Sequence, residues 1–245
     1  MKNIQVDIID KLNPEIIADM EKIKFISDLH WGHPKIVPIC NRPVEIPSFI
    51  INAITERHKD DPNWTLFKDP DWKSNMNEYH DVWLVKEVWN KYINRKDEVY
   101  VLGDVSLQKR KDAEKTVARL NGNKHLILGN HDKSVEHLGN WSEVTQIKDF
   151  TYSRFGLNIH IALCHYPLAS WNRKPYGAWN LYGHVHGRYK NTGLSIDVGI
   201  DNTDNIGGVF HWCRPINLYE VCLIMNEKQK LGEDKYDSTE ISIDI

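Results

Sequence analysis

Short apolar runs that stop at a carboxylate or an imidazole punctuate this chain, and their spacing predicts its elements. Residues 22–27 read as a buried β-strand whose end presents Asp28 and His30. Residues 98–102 read as a strand ending at Asp104, residues 125–128 as one ending at Asn130, His131 and Asp132, and residues 157–164 as one ending at His165. Residues 180–182 stop just before His184 and His186, and residues 195–198 continue the sheet character. Residues 144–155 and 157–164 flank Gly156 closely enough to pair antiparallel.

Helical spacing separates these runs. Pro14 opens a short helix, residues 33–40 form another, and a basic helix spans 111–120 with Gly122 as its stop. Asn75 with Glu78 has the form of a cap and its reciprocal partner, so a helix is expected over 76–93, with Tyr79, Val82, Trp83, Val85, Val88, Trp89 and Tyr92 on its apolar side. Asn217 and Glu220 repeat the signature ahead of a helix through Val221, Ile224 and Met225. The charged tail over 231–245 ends in ISIDI, an edge strand or a disordered end. The alternation implies an α/β fold with right-handed parallel connections.

Residues 44–75 break this rhythm with Pro47, Pro62 and Pro70 among Trp64, Phe67 and Trp72. The expectation is one domain over 1–245 with an inserted excursion at about 44–75. Its aromatic side chains should wall the site or form a homodimer surface, in preference to plain packing.

Composition narrows the class. The 41% hydrophobic and 27% charged residues suit a globular protein, and no run reaches the roughly 20 apolar residues of a membrane span. MKNIQVDIID lacks the apolar core of a signal peptide, so a cytoplasmic location and no membrane partner are expected. Cys40, Cys164, Cys213 and Cys222 form no CxxC pair, which disfavours a thiolate zinc site and leaves buried small apolar residues as their reading. A net charge of -3 confines any nucleic-acid contact to a local patch.

Parallel strands that end in polar side chains converge on one crevice. Asp28, His30, Asp104, Asn130, His165, His184 and His186 together offer two carboxylates, four imidazoles and an amide oxygen. That inventory exceeds one tetrahedral ion and suits two ions with a shared carboxylate. Mixed nitrogen and oxygen donors without sulfur favour manganese, iron, zinc or nickel. His33 and Arg42 are candidates for binding phosphate oxygens, with Arg173 behind them, and Trp171, Tyr176 and Trp179 for stacking on a base.

The order D-x-H (Asp28, His30), G-D (Asp104), G-N-H-D (Asn130, His131, Asp132), a lone His165 and G-H-x-H (His184, His186) resembles the calcineurin-like metallophosphoesterase superfamily over about residues 22–220. SDLHWGH, the NRP at Asn41 to Pro43 and LCHYP around His165 resemble its small bacterial and bacteriophage members. The resemblance implies a four-layer sandwich of two mixed β-sheets flanked by helices. It implies one metal on Asp28, His30 and His186, another on Asn130, His165 and His184, and Asp104 bridging. It makes His131 the catalytic imidazole, with Asp132 either orienting it or capping the turn. Manganese is the favoured ion.

The expected activity is hydrolysis of a phosphodiester of a nucleotide or similar small molecule, by attack of a metal-held hydroxide. Single-strand cleavage and a catalytically silent scaffold of the same fold are the rivals. A chain with VSLQKR after Asp104 and Asp132 after G-N-H departs from the family's protein phosphatases.

Overall fold

The computed structural model describes residues 8–233. The expectation for the ISIDI tail lies outside the described residues. Eleven strands are described: β1 (Ile23–Ile26), β2 (Glu98–Val101), β3 (Asn123–Ile127), β4 (Glu143–Thr145), β5 (Ile147–Arg154), β6 (Leu157–Cys164), β7 (Trp179–Tyr182), β8 (Ser195–Asp197), β9 (Asn205–Ile206), β10 (Val209–Phe210) and β11 (Ile216–Asn217). The helices are α1 (Pro14–Met20), α2 (Ile36–Ile39), α3 (Ser48–Arg57), α4 (Pro70–Trp83), α5 (Arg110–Ala118) and α6 (Leu218–Lys230). None is long and apolar enough to cross a membrane.

Two large mixed sheets, flanked by helices, carry the fold. The first has the order β11-β1-β2-β3-β4 and the second β5-β6-β7-β8. β1 to β4 run parallel, as do β6 to β8, whereas β11 and β5 are antiparallel to their neighbours. Side chains alternate across the first sheet. Phe25, Tyr100 and Leu102 enter a core shared with Ile159, Ile161, Leu163 and Ile196 of the second sheet, and with α6. Ile26, Val99 and Val101 enter a second core against Val88, Trp89, Ala113 and Val117. Ser27 and Gly199 form a parallel bridge just past the end of β1.

The strand expected over 144–155 is cut at Gln146. Val144 lies in β4 of the first sheet, and Ile147 opens β5 of the second. One residue suffices for the crossing, so no turn chemistry marks it.

The helix expected from Met76 begins earlier. Asp69 caps it, accepting from Asp71 N at 2.8 Å and Trp72 N at 3.0 Å, with Pro70 in the first turn. Asn75 instead donates to Asp71 O at 2.8 Å. The buried stripe Trp72, Met76, His80, Leu84 and Val88 recurs every four residues. That period outruns 3.6, and a wide turn over Leu84–Trp89, with Asn90 N donating to Val85 O, keeps the later members inward. Val82 and Tyr92 are left partly exposed, contrary to the apolar pattern.

Within 44–75, α3 and the loop after it pack on α2 and α4. Trp72 joins Ile36, Val37, Ile46, Ile54 and Met76 in a separate core, and Trp64 stacks on His58 at 4.8 Å. Trp72, 2% exposed, is a packing residue rather than part of the expected site wall or homodimer surface. The capping box at α6 is present, with Glu220 N donating to Asn217 Oδ1 and Asn217 N to Glu220 Oε2. All four thiols are free; Cys164 and Cys222 are buried, but Cys40 and Cys213 are only half-buried.

Candidate metal centre

β1, β2 and β3 end level, since Ile26 pairs with Val101 and Val101 with Leu126. The chain beyond β1 and β2 then continues side by side, with Asp28 N on Gly103 O, His30 N on Asp104 O and Trp31 N on Val105 O. β6 and β7, also in register, deliver His165 and the loop of His184 and His186 from the second sheet. The crevice between the two sets of strand ends therefore gathers all seven expected residues.

The expected residues form two donor clusters in it. Asp28, His30 and His186 form one, and Asp104, His165 and His184 the other; in each, one donor atom per residue lies within 4.8 Å of the others. Asp104 faces both. Its Oδ2 is 3.6 Å from His30 Nε2, and its Oδ1 is 3.4 Å from His165 Nε2. Asn130 Oδ1 lies 3.2 Å from the same His165 nitrogen.

The buried chemistry fits metal ions. His30 is 3% exposed, and neither of its ring nitrogens has a hydrogen-bond partner. An isolated buried imidazole is costly unless something else coordinates it. Burial first, then the Arg42 charge, pushes the His30 pKa down to about 2, which keeps it in the neutral, donating form. His165 Nδ1 donates to Leu102 O at 2.7 Å, which leaves Nε2 free to face Asp104. His186 Nδ1 sits 2.7 Å from Asp201 Oδ2. Burial pulls His186 down, but hydrogen bonds with Asp201 and Cys40, together with Asp28, raise its pKa to about 10. A carboxylate behind a ligating imidazole fixes its ring and raises its basicity.

The loops are held in uncommon backbone shapes. Asp28, His30, Asp104, His184 and His186 all have positive φ, between 51° and 72°. Each such residue costs of order 1–3 kcal/mol, a cost typically concentrated at functional sites. The motif glycines permit close approach. A Cβ at Gly103 would lie 2.6 Å from both Gly129 N and His165 Nδ1, and one at Gly183 would lie 2.6 Å from Asp28 Oδ2.

His131 stands at the rim, its side chain 43% exposed. Its Nε2 is 4.0 Å from Asp104 Oδ2, its ring is 5.5 Å from that of His30, and its backbone N–H donates to Asp104 Oδ1 at 3.0 Å. His33 lies near it, half-buried, 5.7 Å ring to ring from His30.

Two expected roles are corrected. Asp132 does not orient His131: its carboxylate accepts from Gly129 N at 2.7 Å, Asp104 N at 3.0 Å and Val105 N at 2.7 Å, so it ties the β2 and β3 loops together. Arg42 is not free for phosphate. It donates from Nε and Nη2 to Asp201, from Nη1 to Leu29 O and from Nη2 to Asp28 O, and its side chain is fully buried. Trp171 and Trp179 are buried packing residues, and Arg173 bonds to His160. Of the three aromatic residues only Tyr176 is exposed, at 76%.

Asp201 was the residue that sequence reasoning missed. The run SIDVGID also ends in a carboxylate, the same layout that marked the other strand ends. Asp197, buried beside it, accepts from Gly187 N and Gly199 N at 2.7 Å and so shapes the loop after His186.

Two donor clusters, with Asp104 facing both, thus lie at the strand ends of a two-sheet α/β sandwich. The chain belongs to the calcineurin-like phosphoesterase family, whose model matches residues 21–210. It is thus a metal-dependent phosphoesterase. It is similar to the uncharacterized protein MJ1445 of Methanocaldococcus jannaschii, 29% identical over 69% of this chain and 72% of the relative. It is similar also to the Gene 66 protein of Mycobacterium phage D29, 25% identical over 74% of this chain and 89% of the relative. Among solved structures, a protein of unknown function, AQ665 from Aquifex aeolicus, aligns over 81% of this chain and 96% of its own at 22% identity and a TM-score of 0.45.

Proposed function

We propose that this phosphoesterase acts on phosphodiesters of nucleotides or similar small molecules, using two divalent transition metal ions, with manganese favoured. The observation that carries the reading is Asp104, whose two oxygens face His30 and His165 at 3.6 and 3.4 Å. Carboxylate oxygens and imidazole nitrogens ligate at about 2.0–2.2 Å, so donors spaced this way suit neighbouring positions around an ion. Asp28, His30 and His186 would hold one ion, Asn130, His165 and His184 the other, and Asp104 would bridge. When bound, such a pair neutralises phosphate charge and acidifies a water to serve as nucleophile.

The protein's own groups do the rest. His131, exposed at the rim and anchored through its backbone to Asp104, is suited to protonate the departing alkoxide. Asp132 holds the loops that carry Asp104 and Asn130 at a fixed spacing. His33, beside His30 and His131, is suited to contact a phosphate oxygen.

Elemental analysis after manganese loading, with turnover of a diester, a monoester and single-stranded DNA before and after chelation, tests the proposal. The expected result is two ions per chain and chelator-sensitive hydrolysis led by the diester. Fewer than one ion per chain with no turnover would leave a silent scaffold instead.

A further inference from the structure

A cleft of about 420 Å³ opens beside the second donor cluster, lined by Leu128, Asn130, Lys133, Gln146, Ile147 and Tyr166. It lies where the chain crosses between the sheets. Ile147, the first residue of β5, is 55% exposed there, and Tyr166 is 44% exposed. The Tyr166 ring is held edge-to-face against two imidazoles, 5.0 Å from His165 and 4.9 Å from His184. An aromatic side chain so oriented offers a fixed surface next to the reacting centre, and Ile147 with Leu128 adds apolar wall. Gln146 supplies both a donor and an acceptor. Lys133 adds a cation, and Glu136 at the margin is engaged by His137 at 3.2 Å.

His131 faces a different part of the centre. It leans toward His30, in the first cluster, whereas Tyr166 packs on His165 and His184, in the second. A diester carries two substituents on phosphorus, and the site offers two separate destinations: the departing oxygen at His131 and the retained alcohol in the cleft.

We propose that this cleft holds the retained substituent of the diester, and that this substituent is a nucleoside, its planar base against Tyr166 and Ile147 and its polar edge toward Gln146. The inference rests on the diesterase reading above. A base has a flat face for Tyr166 and hydrogen-bonding edges for Gln146, which an alkyl group lacks, and the volume falls in the usual range of small-molecule sites. In the reaction, water oxygen bonds to phosphorus and the bond from phosphorus to the departing oxygen breaks. That oxygen takes a proton from His131, the water's proton passes to solvent, and a nucleoside monophosphate remains in the cleft.

The test uses two diesters with one leaving group, thymidine 5′-(4-nitrophenyl phosphate) and methyl 4-nitrophenyl phosphate, on the manganese-loaded full chain. Calorimetric titration with thymidine 5′-monophosphate runs alongside. The wild type should prefer the nucleoside ester by about tenfold or more in kcat/KM, and Ile147→Glu and Tyr166→Ala should each bring that ratio close to one. Ile147→Glu, on an exposed strand end where folding is safe, should also weaken thymidine monophosphate about tenfold. If both esters turn over with equal kcat/KM, the cleft assignment falls and the diesterase reading stands. If neither turns over, but the monophosphate binds the wild type and is weakened in Ile147→Glu, the cleft stands as a nucleoside site, and its role for a retained substituent falls with the diesterase reading. No turnover and no binding overturns both.

Discussion

Arg42 and Asp201 meet as a buried bidentate pair, Nε to Oδ1 at 2.8 Å and Nη2 to Oδ2 at 2.7 Å, across 159 residues of sequence. The same guanidinium donates to Asp28 O and Leu29 O, and the same carboxylate holds His186 Nδ1. His80 Nε2, on α4, lies 2.9 Å from Arg42 Nη1 and extends the network to the helical layer. The pair thus fixes the two loops of the first donor cluster relative to each other. Burial favours the neutral acid at Asp201, but the hydrogen bonds from Arg42 and His186 hold its carboxyl well below the usual range.

Breaking this pair should have two separable effects. Arg42→Ala leaves a buried carboxylate without its partner and should cost about 3–5 kcal/mol of stability, read by urea denaturation of the metal-free protein. Asp201→Asn removes the charge behind His186 and should weaken manganese binding about 10- to 100-fold, read by calorimetric titration. A variant at Asp201 that titrates like the wild type would show that the ring of His186 is oriented by other contacts.

Asp104→Asn and His131→Asn should fail differently. Asp104 faces both clusters, so its amide variant should lose metal as well as rate, whereas His131→Asn should retain both ions on elemental analysis. General-acid help is typically worth 10²- to 10⁴-fold, and a 4-nitrophenolate leaving group, which needs little protonation, should recover much of that loss. Equal damage on good and poor leaving groups would remove His131 from the role of acid.

His211 predicts a pH dependence outside the donor clusters. It is fully buried, its Nε2 is 3.1 Å from Asp197 O, and burial, then the Arg214 charge, pushes its pKa down to about 4. The unfolded chain takes up a proton near pH 6.5 that the folded state resists until about pH 4. Its contribution is complete above pH 6.5 and is lost as pH falls toward 4, on the order of 3 kcal/mol in all. Urea denaturation in chelator between pH 7.5 and 4 should therefore show a shallower acid loss for His211→Gln than for the wild type. Parallel curves would place the acid sensitivity elsewhere.

The strand-end residues were legible because each apolar run abuts its polar terminus directly, with no loop between Ser27 and Asp28 or between Cys164 and His165. Local grammar of that kind survives folding. What it cannot carry is a partner far off in sequence: Arg42 reads as a candidate phosphate ligand because its carboxylate arrives 159 residues later. The α4 start was misread for a different reason. Asn75 and Glu78 spell a cap, but Asp69 with Pro70 spells a stronger one, and the side chain of Asp69 accepts two amides. Trp72 then falls inside a helix, where its indole is buried against α2 and α3 rather than offered at a surface.

The left-handed backbone at Asp28, His30, Asp104, His184 and His186 narrows what these five positions can become. A replacement that keeps the proposed donor role must also enter positive φ, and among L-residues asparagine, aspartate and histidine are the ones enriched there. Glutamate at Asp28 or Asp104 keeps the charge and the oxygens, yet it lacks that tolerance and adds a methylene. Glycine satisfies the backbone and supplies no donor. The accessible alphabet at each position is therefore three letters wide, and two of them differ only by an amide in place of a carboxylate. Drift at this centre is steered toward Asp-to-Asn exchanges, which remove a negative charge at nearly constant shape, and His-to-Asn exchanges, which trade a ring for a smaller amide.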